Sequence, residues 1–186
     1  MAFTPPIDEE RLVKSLQDPR EAKRAFDMLV SVYAQPLYAH IRKMVVSHED
    51  ADDILQNVFI KAWNNIHNFR GEAKLTTWLY KIAVNESINH LKRERQRSNV
   101  VSTDDGDSYL TDNLEADPWF DGDALQLELQ KAIAALPEKQ RLVFNMRYFD
   151  EMKYEEISDV LGTSVGALKA SYHHAVKKIT QWLDKD

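Results

Sequence analysis

Apolar residues recur at intervals of three and four along most of this chain, the period of helices that bury one face. The clearest case is SHEDADDILQNVFIKAWNNIHNF, in which Ala51, Ile54, Leu55, Val58, Phe59, Ala62, Trp63 and Ile66 form a stripe. Ser47 stands as its N-cap, and acidic residues crowd its first turn, where the helix dipole favours them. Upstream, Asp18-Pro19 reads as an N-cap followed by proline at the first helical position, which opens a helix through about Tyr33. Pro36 should interrupt or kink it, with Leu37 to Val46 as the next helical piece. Phe69-Arg70-Gly71-Glu72 breaks the pattern as a loop, and Thr76 or Thr77 starts another helix that runs to about Gln96. The stretch SNVVSTDDGDSYLTDNLEADPWFDGD lacks a helical apolar period and is rich in Asp, Ser and Asn, so it reads as a flexible acidic linker. Beyond it the helical pattern resumes over Ala124 to Leu136, Pro137 to Phe149, Tyr154 to Leu161 and Val165 to Leu183. The pattern predicts an all-α chain of two small helical domains, residues 1–97 and 123–186, joined by a linker over 98–122.

Composition agrees with that class. The 186 residues are 44% hydrophobic but include only 5 Gly and 6 Pro, too few turn formers for an all-β fold. The absence of Cys excludes a disulfide framework, a thiolate metal site and a thiol nucleophile, and it suits a reducing compartment. No apolar run approaches the roughly 18 residues of a membrane span. The start, MAFTPPIDEERL, lacks the basic and apolar regions of a secretory signal, so a cytoplasmic protein is expected.

A net charge of −6 argues at first against a nucleic-acid partner, but its distribution reverses the argument. Nine acidic residues and no Lys or Arg lie between Ser98 and Glu128, and removing those nine negative charges from −6 leaves +3. Lys81 to Arg97 carries five basic and two acidic residues, and Ser164 to Lys178 carries three basic and none acidic. DNA feels the local field, because screening cuts longer-range terms off within about 8 Å at physiological salt.

YEEISDVLGTSVGALKASYHHAVKKI has the layout of a helix-turn-helix. Ile157, Val160 and Leu161 make the first helix amphipathic, Gly162 supplies the exit, and Ser164 caps the second helix. In the second helix Leu168, Tyr172, Ala175, Val176 and Ile179 share one side. The other side carries Gly166, Ala170, His173, His174 and Lys177, with Lys169 at its edge. Small residues near the start let a recognition helix approach base edges, while the donors and cations that follow can hold phosphates. His173 and His174 point about 100° apart and have no carboxylate at i+4, which argues against a metal site. On the helix ending near Gln96, Trp78, Lys81, Asn85, Asn89, Lys92 and Gln96 form one stripe, opposite Tyr80, Val84, Ile88 and Leu91. An aromatic, amides and ammonium groups on one face are equipment for holding unpaired DNA. The run from Lys92 through Arg93 to Arg97 extends the basic path.

These segments resemble a known family. FRGEAKLTTWLYKIAVNESINHLKRERQR resembles the stretch of extracytoplasmic-function (ECF) sigma factors that opens and reads the −10 promoter element. DADDILQNVFIKAW resembles the helix that docks on the clamp of RNA polymerase, and ALPEKQRLVFNMRYFDEMKYEEISDVLGTSVGALKASYHHAVKKI resembles the domain that reads the −35 element. The resemblance spans about residues 20 to 183 and implies a sigma region 2 bundle followed by a sigma region 4 helix-turn-helix. It implies that Asn85 captures a flipped −10 base beside the loop from Phe69 and Arg70 to Leu75, to which the stripe read above adds Trp78, Lys81, Asn89, Lys92 and Arg93 along the strand. It implies polymerase contacts at Asp53, Gln56 and Asn57, and −35 contacts at Lys169, Ala170, Ser171, His173 and His174, to which the helix face read above adds Lys177. Family members carry more arginine in that last run, so bidentate guanine readout is not available here and shape with phosphate contact is expected instead. The implied partners are core RNA polymerase, promoter DNA and an anti-sigma factor, with a monomeric free protein, no cofactor, no metal and no small-molecule substrate.

The linker has two readings: a polyanion suited to the channel that later holds RNA, or a solubilising tether. The function has rivals too. A conventional helix-turn-helix repressor would bind an operator alone, as a dimer on a palindrome. A helical adaptor would show no salt-sensitive DNA affinity. An enzyme is disfavoured, since the chain lacks a glycine-rich phosphate loop and a Ser or Cys elbow. Its six histidines (His40, His48, His67, His90, His173 and His174) fall in no metal-ligand spacing.

Overall fold

The computed structural model describes residues 5–97, 110, 114 and 124–184, and these are helical or looped with no strand among them. No described helix is long and apolar enough to cross a membrane. The N-terminal unit contains α1 (Glu9–Gln17), α2 (Ala22–Val45), α3 (His48–Asn65), a 3₁₀ turn (Ile66–Asn68) and α4 (Leu75–Arg97). The C-terminal unit contains α5 (Ala124–Ala134), α6 (Glu138–Phe144), a π turn (Asn145–Phe149), α7 (Tyr154–Leu161) and α8 (Val165–Leu183).

Helix α1 was not expected. Asp8 caps it by accepting a hydrogen bond from the Arg11 amide (3.1 Å), and Leu12 and Leu16, one turn apart, bury its inner face. Asp18, expected to open a helix, instead ends this one: its amide bonds to the Lys14 carbonyl while its carboxylate accepts from the Arg20 amide. Asp-Pro therefore marks a junction between helices, and α2 begins only at Ala22.

The expected interruption at Pro36 does not occur, and α2 runs through it to Val45. Proline removes one intrahelical hydrogen bond. Tyr33, Leu37, His40, Ile41 and Met44 are buried on either side, and that packing holds the helix together across the gap. Val46 ends α2 with φ 67°, a left-handed conformation strained for a β-branched residue. Ser47 then caps α3 as expected, its Oγ accepting from the Asp50 amide (3.3 Å). Ala51, Ile54, Val58 and Ala62 are buried, but Trp63 is 41% exposed and leans on Phe26 at the surface (ring centroids 4.9 Å apart).

In the C-terminal unit the expected elements form near their expected bounds, except that the single helix from Pro137 to Phe149 splits into α6 and the π turn. The buried Arg141 guanidinium donates to the carbonyls of Ala134 (3.0 Å) and Leu136 (3.2 Å), closing the end of α5. Gly162 takes the left-handed conformation (φ 64°) that the turn between α7 and α8 needs. On α8, Leu168, Ala175 and Ile179 are buried and Tyr172 partly so, whereas Val176 stays 39% exposed.

The two helical domains do not sit apart. One apolar core runs from α1–α4 into Leu142, Val143, Met146, Met152, Ile157, Val160 and Leu168. At its edge the His40 imidazole meets the Asp150 carboxylate (2.5 Å), and the Asn145 side-chain amide donates to the Lys43 carbonyl (3.2 Å). Arg95 pairs with Glu138 (2.9 Å) and Lys74 with Glu156 (3.1 Å). Most of the acidic linker lies outside the described residues. Leu110 and Leu114 are described, however: both are helical and buried in the shared core, an apolar i, i+4 pair in a stretch expected to have no helical period.

Candidate nucleic-acid interface

Helix α4 divides as its sequence pattern requires. Leu75, Leu79, Tyr80, Ala83, Val84 and Leu91 are buried, which turns the other side outward. Lys81, Asn85, Asn89, Lys92 and Arg93 are exposed along that side. Trp78 is half-buried, and its ring meets that of half-buried Phe69 (centroids 5.3 Å apart). The two rings form an aromatic shelf beside the start of the stripe. Arg70 is exposed in the loop, and Gly71 follows it at φ 73°. The basic run divides: Arg95 and Arg97 are engaged by Glu138 and Glu94, while Lys92 projects into solvent and Arg93 turns back to the Asn89 carbonyl (3.3 Å).

The loop from Phe69 to Leu75 is tied at both ends by side chains of α1 that the sequence pattern did not reveal. Glu9 of α1 accepts from the amides of Leu75 (3.0 Å) and Thr76 (3.2 Å) and from the Thr76 hydroxyl. The Tyr33 hydroxyl also donates to Glu9 (2.7 Å), and burial first, then this carboxylate, push its ionisation well above the usual tyrosine range. Gln17, at the other end of α1, donates to the carbonyls of Ile66 (3.2 Å) and Phe69 (2.9 Å). Since these partners lie 49 to 67 residues away, no local motif announces them. The loop also lines a cleft of about 1200 Å³ between α1 and the segment from Asp150 into the start of α7.

In the C-terminal unit Ser164 caps α8 by accepting from the Ala167 amide (3.4 Å). The outward side of α8 exposes Lys169, Ala170, His173, His174 and Lys177, with Ser171 half-buried. The Lys169 ammonium lies 5.7 Å from the centre of the Tyr154 ring, which the Arg147 guanidinium also approaches (5.3 Å), so α8 and the π turn bring two cations about one aromatic of α7. Glu156 on α7 accepts from the Lys153 amide (3.0 Å) and pairs with Lys74. Burial alone would raise its carboxyl, but the Lys153 amide and the Lys74 ammonium outweigh burial and hold it below the usual range.

On α3, Asp53, Gln56 and Asn57 are exposed on one face, which continues to Ile60, 57% exposed. The structure therefore separates the candidate residues into three exposed surfaces, on α4 with its preceding loop, on α8, and on α3.

Comparison with known proteins follows the same division. Residues 29–97 match the family Sigma-70 region 2, and residues 126–179 match Sigma-70, region 4. The chain is 33% identical to the RNA polymerase sigma-H factor of Pseudomonas aeruginosa over 94% of its own length and 93% of the relative's. It is 31% identical to the ECF RNA polymerase sigma-E factor of Haemophilus influenzae, covering 93% of this chain and 94% of that one. Among solved structures it shares the fold of the sigma factor RpoE from Bartonella quintana, determined in complex with the anti-sigma factor NepR. There the TM-score is 0.68 at 20% identity, over 87% of this chain and 98% of that one.

Proposed function

Because this chain belongs to the extracytoplasmic-function branch of the sigma-70 family, and so directs promoter-specific transcription as a sigma factor, we propose that its two helical units divide the promoter between them. The N-terminal unit, within residues 1–97, holds melted −10 DNA along Trp78, Lys81, Asn85, Asn89, Lys92 and Arg93. A flipped base seats at Asn85 beside the loop containing Phe69 and Arg70. Extruding a base costs a few kcal/mol of stacking, which a specific pocket must repay. The C-terminal unit, within residues 123–186, sets α8 in the −35 major groove through Lys169, Ala170, Ser171, His173, His174 and Lys177. No arginine stands in that set, so shape and phosphate contact dominate its readout. Asp53, Gln56 and Asn57 on α3 dock on core RNA polymerase, and the linker over 98–122 sets the span. An anti-sigma protein is the proposed inhibitor. Neither a cofactor nor nucleotide hydrolysis enters the mechanism; binding energy alone stabilises the open complex.

The observation that carries this reading is the pair of exposed polar and cationic faces, one on α4 and one on α8, each lying inside its own family match. About 25 base pairs separate the two elements, roughly 85 Å of duplex at about 3.4 Å per pair. A compact chain of this length has a radius of gyration of about 16 Å, so reading both elements at once requires the shared core to part. Polymerase then serves as the frame that converts two weak contacts into one placement.

Run-off transcription tests the reading. With core polymerase and duplexes selected from a randomised library, the chain should yield discrete transcripts that core polymerase alone does not make. Tight operator binding by the free protein, with no transcripts, would instead mark a conventional repressor.

A further inference from the structure

Helix α1 lies outside the segment matched to Sigma-70 region 2, which begins at residue 29. It nevertheless holds the reading loop at both ends. Where the chain leaves the loop, Glu9 accepts from the Leu75 and Thr76 amides. These are the first donors of α4, which have no intrahelical acceptor, and a carboxylate there also meets the positive end of the helix dipole. Where the chain enters the loop, the Gln17 amide donates to the carbonyls of Ile66 and Phe69. Acceptor and donor are thus matched to what each end offers. Eight residues of one helix span about 12 Å, a length that does not vary while the helix stays intact.

We infer that α1 is a splint for the −10 pocket, in which Glu9 and Gln17 are positioning residues that fix the aperture between Phe69 and Leu75 and thereby set how sharply the flipped base is discriminated. The inference rests on the −10 reading of that loop proposed above. The loop depends on such outside support because Gly71 within it is in a left-handed conformation and Arg70 and Glu72 beside it are exposed. The phenol of Tyr33 donates to Glu9 from the buried side and fixes the carboxylate in turn. A pocket held at a constant width can reject a misfitting base; one free to widen accepts several.

The test compares two promoters on the full chain with core polymerase. One is a fragment selected from a randomised duplex library, and the other is the same fragment with one base pair of its melted −10 stretch changed. In Glu9→Gln an amide nitrogen replaces one of the acceptor oxygens, and the wild-type preference between the two fragments should fall about tenfold, the weight of a charge-assisted hydrogen bond. Gln17→Ala, at an exposed position where folding is not at risk, should lower it about threefold, the weight of a neutral one. Affinity for core polymerase, read by fluorescence anisotropy, and the preference between −35 variants should stay at wild-type levels. A role in fold stability alone would reduce the active fraction, scaling transcription from both fragments equally; unchanged preference in Gln17→Ala overturns the inference, whether or not Glu9→Gln folds. Wild-type protein with no preference at the −10 stretch overturns the underlying reading, and the inference with it. Lost preference between −35 variants in Gln17→Ala would mean a general loosening and would overturn the splint alone.

Discussion

The turn into α8 and the turn into α4 each set up an exposed polar helix face, the two faces proposed to meet DNA, and they are built in opposite ways. Before α8, Gly162 makes the bend and Ser164 caps the helix, both within a few residues of what they support. Before α4, the capping carboxylate comes from Glu9, 66 residues earlier in the chain, and the loop carbonyls are held by Gln17. A helix-turn-helix docks as a preformed body on duplex DNA, so local caps are enough for it. A pocket for a flipped base, as proposed for the loop before α4, must hold its shape against a strand it helps to unstack, and ties to a separate helix would provide that rigidity.

The sharpest way to break this contrast is to cut what the two units share. Asp150→Ala leaves the buried His40 imidazole without its carboxylate, and it should cost about 3 kcal/mol of stability, because a buried polar group loses a strong partner. Hydrogen exchange should then rise in α2 and in α7 alike. Exchange confined to the C-terminal unit would mean that the N-terminal unit stands alone after all.

Next in size is Asn85→Ala, which should reduce open-complex formation roughly thirtyfold, about 2 kcal/mol, while leaving polymerase binding intact. Potassium permanganate footprinting of the melted strand reads this directly, and full melting by the variant would remove Asn85 from the pocket. The smallest effect belongs to the local cap. Ser164→Ala should cost about 1 kcal/mol of helix stability and weaken −35 contact by no more than about fivefold, seen as a lower thermal midpoint.

How much of this was legible in advance follows the same divide. Ser47, Gly162 and Ser164 act on their neighbours, so their roles could be read from short windows, as could the buried and exposed sides of α4 and α8. Glu9, Gln17 and the His40–Asp150 pair act across the fold and leave no periodic trace. The misreadings are instructive as well. Asp18-Pro19 carries the signals of a helix start but closes α1, because the same aspartate can hold amides on either side of a break. Pro36 carries the signal of a break, but the buried residues flanking it outweigh one lost hydrogen bond. Asp53, Gln56 and Asn57 were singled out by resemblance alone, and in the fold they lie exposed on one face of α3.

Leu110 and Leu114 bear on reach. From Arg97 to Ala124 the chain can extend at most about 95 Å, comparable with the roughly 85 Å of duplex between the two promoter elements. While the two leucines remain in the core, that contour is divided into arms of about 45 Å and 35 Å, each pinned at one end to the same body. Neither arm is long enough by itself. Reading both elements in the way proposed would therefore require Leu110 and Leu114 to leave the core that they share with both units.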